Sequence, residues 1–196
     1  MDKGRFRQLL RMLNGESDLL ETGKFGQGLW PVDVEFGQMM YWLIKLRGLK
    51  RGIEVGAGVG YSTLWIAQAL YENGGKLVTF EYFSPKIDQL ERHLSRFFGN
   101  NYQKFIDIVP AEITRGIPHL GAEKFDFVFF DQRKSDYLPH LKKLLPKLKK
   151  GAYICADNVL SHEKASMPYL DFVRNSSQFK SQLIKGGAGL EMSRYQ

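Results

Sequence analysis

Arg51-Gly-Ile-Glu-Val-Gly-Ala-Gly-Val-Gly-Tyr-Ser-Thr63 is the stretch on which the reading of this chain turns. A short apolar run of β type ends in three alternating glycines, and a pattern of helical period follows from Thr63 to Tyr71. Glycines at a strand-to-helix turn let backbone approach a ligand closely and aim the helix N–H groups at it. A dinucleotide fingerprint requires G-x-G-x-x-G. Here the third glycine falls at Gly60 and Tyr61 stands where the fingerprint needs glycine, which disfavours a nicotinamide cofactor. The same glycines would also serve a plain tight turn.

Working outward, further short apolar runs occupy Lys76 to Phe80, Phe105 to Val109, Phe125 to Phe130 and Ala152 to Ala156, beside Gly52 to Val55 in the opening stretch. Segments of helical period separate them: Thr63 to Tyr71, Pro85 to Phe98, Ile113 to Leu120 and Tyr137 to Leu148. Such alternation predicts crossover helices between parallel strands. Near the end, helix-like Met167 to Arg174 precedes Ser181 to Lys185, a Gly-rich turn and Leu190 to Tyr195, which predicts a hairpin closing one edge. The fold class expected is α/β: a Rossmann-like, doubly wound, mostly parallel seven-stranded sheet with an antiparallel C-terminal hairpin. Phe6 to Leu13 and Phe36 to Arg47 read as helices before the first strand, with Gly48 as a stop.

The 196 residues, 43% hydrophobic and 25% charged, suit one globular domain, 1–196, and show no repeat or linker. The single cysteine, Cys155, sits in an apolar run and has no partner for a disulfide within the chain, which suits a reducing, cytoplasmic setting. No stretch is long and apolar enough for a signal peptide or a membrane span, so no membrane partner is expected. A net charge of +7 favours acidic partners: nucleic acid, a phosphorylated substrate or an anionic cofactor. Part of that charge has a plainer reading. Leucines 138, 141, 144, 145 and 148 recur at helical spacing, with lysines 142, 143, 147, 149 and 150 between them on a solvated face.

Two groups of residues carry chemistry. Glu81, closing the second strand, is placed to accept hydrogen bonds from both hydroxyls of a ribose. Asp131 follows the fourth strand directly, and Asp157-Asn158 follow the fifth. If those strands are parallel neighbours, their carboxyl ends share one crevice, and two carboxylates with an amide oxygen suit a hard divalent cation such as Mg2+. Zinc is disfavoured because His93, His119, His140 and His162 lack ligand spacing. The bland alternatives are a turn cap at Asp157-Asn158 and a Lys134–Asp136 ion pair.

The combination of Glu54-Val-Gly56-x-Gly58-x-Gly60 with Glu81 resembles the class I S-adenosylmethionine-dependent methyltransferases. Lys124-Phe-Asp-Phe-Val-Phe-Phe-Asp131-Gln-Arg-Lys134-x-x-Tyr137 and Asp157-Asn-Val-Leu160 are similar to segments of the metal-dependent catechol and caffeoyl-CoA O-methyltransferases. The likeness runs from about Gly37 to Glu191. It implies S-adenosylmethionine as cofactor, with Glu54, Gly56, Gly58, Val32 and Ser62 at its methionine end, Glu81 on the ribose, Glu112 near the adenine and Asp131 alongside. It also implies that Asp131, Asp157 and Asn158 hold Mg2+ or another hard divalent cation, that Lys134 is the general base, and that Glu191 hydrogen-bonds a second substrate hydroxyl. Residues 1–48 would form a helical cap over the cofactor and substrate site. Ala188-Gly189 stands where relatives carry Asp-Gly.

The acceptor expected from that likeness is a small catechol-like or vicinal dihydroxy compound. A hydroxylated uridine of tRNA is the alternative, since some members modify tRNA and the chain is basic. Trp30, Tyr61 and Tyr169 would stack on a base or a catechol equally well. A non-catalytic S-adenosylmethionine-binding protein is the third reading. Many relatives are dimers, so a homodimer is a further possibility.

Overall fold

A computed structural model describes residue 4 and residues 32–196 of the chain. The helix expected at 6–13 lies outside the described residues, as does Trp30. The elements run α1 (Val34–Arg47), β1 (Arg51–Val55), α2 (Tyr61–Glu72), β2 (Lys76–Phe80), α3 (Ser84–Phe98), β3 (Ile106–Val109), α4 (Ile113–Gly116), β4 (Phe125–Phe130), α5 (Tyr137–Leu144), β5 (Leu148–Ala156), α6 (Glu163–Asn175), β6 (Phe179–Ile184) and β7 (Leu190–Tyr195).

They build a seven-stranded sheet in the order β3-β2-β1-β4-β5-β7-β6. Strands β1 to β5 are parallel, and β7 runs antiparallel to both β5 and β6. The C-terminal hairpin thus extends the sheet with β7 inside and β6 at the rim, as the two apolar segments and the Gly-rich turn foretold.

Each face of the sheet carries its own core, because strands buried on both sides read as continuous apolar runs. On β4, Phe127 and Phe129 pack with Met40, Trp65, Leu70, Leu90 and Leu94 of α1, α2 and α3. Val128 and Phe130 face the other way, onto Tyr137, Leu141, Tyr169 and Val173 of α5 and α6. Leu141 and Leu144 of α5 are buried while lysines 142 and 143 are exposed, as on a helix with a solvated face, whereas Leu148, Lys149 and Lys150, expected to continue that helical pattern, open β5 instead.

Two boundaries differ from the sequence reading for identifiable reasons. The helix of α5 tightens into a 3-10 turn over Leu145–Lys147, where Pro146 supplies no amide donor. Helix α6 begins at Glu163 and runs through Pro168, although proline in a helical pattern usually marks an end. No described helix is long and apolar enough to cross a membrane.

Candidate active site

The order of the sheet reverses between β1 and β4, and open α/β sheets bind ligands outside the carboxyl ends of the strands at such a point. A cleft of about 1010 Å³ opens there. Its wall includes Val32, Gly56, Gly58, Ser62, Glu81, Glu112, Asp131, Lys134 and Asn158, so nine residues singled out in the sequence meet in one place.

The glycine turn is tied down by the strands beside it. Gly56 and Ala57 donate their N–H groups to the Phe80 carbonyl at 2.9 and 3.1 Å. Gly56 has φ +95°, and a Cβ there would run into the backbone carbonyl of Asp131, so only glycine allows β1 and β4 to close up at the switch point. Glu81 secures the turn from the second strand: Oε2 accepts the Gly58 N–H at 2.9 Å, and Oε1 accepts those of Tyr82 and Phe83 at 2.9 and 3.0 Å. Its carboxylate is oriented before any ligand arrives and retains lone pairs toward the cleft. From α3, His93 Nδ1 lies 2.7 Å from the Val59 carbonyl.

Glu54 sits differently from the direct cofactor contact that the resemblance implied. It is fully buried behind the cleft wall, with Oε1 accepting from Ser62 at 2.6 Å and Oε2 from Thr63 at 2.6 Å and Thr79 at 2.7 Å. Both oxygens are committed to fastening β1 to the start of α2 and to β2. Burial pushes this carboxyl up to about 7 against the opposing pull of the three hydroxyls.

At the ends of β4 and β5, the Asp131 N–H donates to the Val55 carbonyl at 2.9 Å and the Asp157 N–H to the Phe130 carbonyl at 3.0 Å. The two carboxylates therefore cap adjacent strands. The Tyr137 hydroxyl, buried, donates across them to the Phe130 and Asp157 carbonyls at 3.1 and 2.9 Å. Lys134 Nζ donates to Asp131 Oδ1 at 2.9 Å, so the partner of this lysine is Asp131, whereas Asp136 lies near Arg133. Asp157 Oδ1 is buried without a hydrogen-bond partner, and Asp157 is pushed up to about 7 by burial first and by the Asp131 charge second. Asn158 has φ +56°, the one non-glycine residue with positive φ among those described, a conformation that asparagine tolerates and that collects at functional sites.

A buried carboxylate oxygen without a donor calls for a cation. Among the described residues no group of three His, Cys, Asp or Glu side chains that could hold a metal ion is found, and the oxygen donors at these strand ends are the carboxylates of Asp131 and Asp157 and the amide of Asn158. Oxygen donors of this kind are those that hard divalent cations prefer.

Glu191 is not in the wall of the cleft. Its register opposite Ala156 brings it to the correct end of the sheet, but its side chain is fully buried on the α6 side. There Arg174 holds it with two bonds, Nε to Oε1 at 2.9 Å and a second nitrogen to Oε2 at 2.6 Å, and Ser181 donates to Oε1 at 2.7 Å. Tyr169 likewise is core rather than stacking surface, packed edge-on against Phe130 and Tyr137. Tyr61 does line the cleft.

Sequence reasoning passed over His140 and His162, which line the cleft although they share no ligand spacing. His140 lies one turn into the helix that leaves the site, a position that could have drawn notice. Its ring is half-buried, lies beside Gln132 and is shifted below the usual imidazole range by burial, so it is a neutral hydrogen-bonding group.

Comparison with known proteins agrees with this geometry. A family model described as O-methyltransferase matches residues 19–180. Catechol O-methyltransferase B of Danio rerio is 33% identical over 165 residues, which cover 80% of this chain and 60% of that protein. A catechol O-methyltransferase of Niastella koreensis is 30% identical over 159 residues, 78% of this chain and 67% of its own. This chain thus spans about three fifths to two thirds of the length of these two relatives. Among solved structures, an O-methyltransferase from Bacillus cereus in complex with SAH matches with a TM-score of 0.78 and 18% identity, covering 100% of this chain and 92% of its own.

Proposed function

This chain belongs to the O-methyltransferase family, and on that footing we propose that it transfers a methyl group from S-adenosylmethionine to one hydroxyl of a small vicinal dihydroxy acceptor, with a hard divalent cation at Asp131, Asp157 and Asn158. The observation that carries the reading is the buried, donor-free Oδ1 of Asp157, which is not itself in the cleft wall but feels the charges of Asp131 and Lys134, which are, in a cleft also lined by the glycine turn and Glu81.

In this reading Glu81 accepts the ribose hydroxyls, and the turn from Gly56 to Gly60 lets the methionine end lie against bare backbone. The cofactor supplies a methyl group on a positive sulfur, open to in-line attack. The cation, when bound, lowers the pKa of an acceptor hydroxyl. For this step Lys134 Nζ must enter as the neutral amine; it then receives the proton that the hydroxyl gives up, and Asp131 Oδ1, 2.9 Å away, holds the resulting ammonium. The acceptor oxygen keeps its electron pair and forms the new bond to carbon, so no covalent enzyme intermediate arises. The chain contributes chiefly alignment and exclusion of water.

Glu191 takes no part in this account, because Arg174 and Ser181 occupy it. Grip on the second hydroxyl falls to the cation and to groups in the wall, with His140 and His162 within the same cleft. The test is labelling of an acceptor panel with radioactive methyl from S-adenosylmethionine. Vicinal diphenols are expected to accept the label and the matching monophenols to accept at least about a hundredfold less. Equal labelling of both would remove the cation-chelated pair of oxygens from the account, and labelling of tRNA alone would replace the small acceptor.

A further inference from the structure

At the carboxyl ends of the strands the cleft mixes the acids Glu81, Glu112, Asp131 and Asp136 with the cations Lys86, Arg133 and Lys134. The opposite edge, where β1 to β5 begin, is basic: Lys104 precedes β3, Lys76 opens β2, Lys50 and Arg51 open β1, Lys124 precedes β4, and Lys149 and Lys150 lie at the start of β5. The register sets these in a row, with Arg51 opposite Lys76 and Phe125 opposite Leu148. Neighbouring strands stand about 4.8 Å apart, so five strand starts spread the cations along roughly 20 Å.

Three acids at this edge are engaged, while Asp107 near the start of β3 is exposed. Glu72 pairs with Lys45, Glu123 with Arg51 and Asp126 with Lys149. Arg47, Lys50, Lys76, Lys104, Lys124 and Lys150 are exposed, and their side-chain cations form no ion pair with an acid among the described residues. Large apolar side chains are exposed beside them: Leu46 at 79%, Trp42 one turn earlier at 54% and Tyr71 at 48%. Their adjacency is fixed by contacts. Asn73 donates to the Ile44 and Leu49 carbonyls at 2.9 and 3.0 Å, which joins the end of α2 to the end of α1. The Lys76 N–H donates to the Lys50 carbonyl at 2.7 Å, and the Tyr71 ring lies 4.5 Å from that of Phe105 at the start of β3.

A strip of unpaired cations with exposed leucine, tryptophan and tyrosine at its margin has the chemistry of a peripheral lipid-binding surface. A nucleic-acid backbone would account for the cations, but an aliphatic side chain as exposed as Leu46 has no role in phosphate recognition. We propose that this edge docks the protein on an anionic phospholipid surface, with Leu46, Trp42 and Tyr71 entering the headgroup layer and the cleft facing the aqueous side. Such docking requires no spanning helix, and the sequence-based expectation of no membrane partner addressed only spanning and signal segments.

The test is co-sedimentation of the full chain with phosphatidylcholine vesicles that contain or lack phosphatidylglycerol, at low and high salt. Binding is expected only with phosphatidylglycerol and is expected to weaken with salt. Each cation removed should lower the partition coefficient about fivefold, so Lys76→Gln with Lys104→Gln should lower it about twenty-fivefold. Leu46→Ser should weaken the binding that survives at high salt. No sedimentation with either vesicle, equal sedimentation with both, or an unchanged partition of the double variant would overturn the proposal. Binding to tRNA without binding to vesicles, lost in the same variant, would overturn it in favour of nucleic acid. The comparison of the two vesicle types with the natural sequence decides the matter even if a variant fails to fold.

Discussion

Glu54 and Asp157 are both carboxyls pushed up to about 7, and they serve different ends. For Glu54 the folded value exceeds the unfolded one, so between about pH 4.5 and 7 the folded protein keeps a proton that the unfolded chain has released. Stability from this residue therefore falls as pH rises through that window, by about 3 kcal/mol in all. Urea midpoints of the natural chain and Glu54→Gln, measured at pH 5 and pH 8, should show the pH-dependent component absent from the variant; parallel profiles would contradict the burial account. The glycines give a second contrast at this scale. Gly56→Ala meets the Asp131 carbonyl and should cost at least about 2 kcal/mol of stability. At Gly58, φ is +56° but nothing lies within 4 Å of a Cβ, so Gly58→Ala should cost only about 1 kcal/mol. If the turn cradles the cofactor, calorimetric affinity of Gly58→Ala for S-adenosylmethionine should nonetheless fall about tenfold or more. These roles were half legible in the sequence. The spacing of the glycines marked the turn, but nothing local in Ile53-Glu54-Val55 tells whether the acid faces ligand or three hydroxyls contributed by Ser62, Thr63 and Thr79.

Among the elements, α6 and the C-terminal hairpin are joined through one charged contact. Arg174 on α6 meets Glu191 on β7, and the carboxylate is fully buried while the guanidinium is partly exposed. Removing the cation strands a buried charge, so Arg174→Met should destabilise the fold by about 3 kcal/mol, and adding Glu191→Gln should restore most of the loss. Thermal denaturation of the two variants measures this; a neutral Arg174→Met would show that the pair does not hold the hairpin. The five parallel strands and the hairpin were readable because each apolar run is short and bounded by turn residues. The side chain of Glu191 was not, because its environment depends on an arginine 17 residues earlier on another element. Helix α6 begins at Glu163, four residues before the Met167 at which the sequence placed its start, and its first turn carries buried Ser166 ahead of buried Tyr169 and Leu170.

For the molecule as a whole, the switch point between β1 and β4 determines where chemistry is possible, and the cleft there sets Glu81, Glu112, Asp131 and Asp136 against Lys86, Arg133 and Lys134. A cleft near charge balance on a protein of net charge +7 leaves the excess of cations on other surfaces, the far edge of the sheet among them. Total charge was legible in the sequence; its division was not, since it depends on which ends of the strands coincide. The central claim is that methyl transfer depends on a divalent cation held by the carboxylates that end β4 and β5. It is tested most directly by methyl transfer from S-adenosylmethionine to a vicinal diphenol with Mg2+ and with EDTA, for the natural chain and for Asp157→Asn, alongside calorimetric affinity for S-adenosylmethionine. The account predicts activity that Mg2+ restores after EDTA, a loss of at least about a hundredfold in Asp157→Asn, and cofactor affinity within about twofold in both. Full activity in EDTA, or an Asp157→Asn protein as active as the natural one, would contradict it.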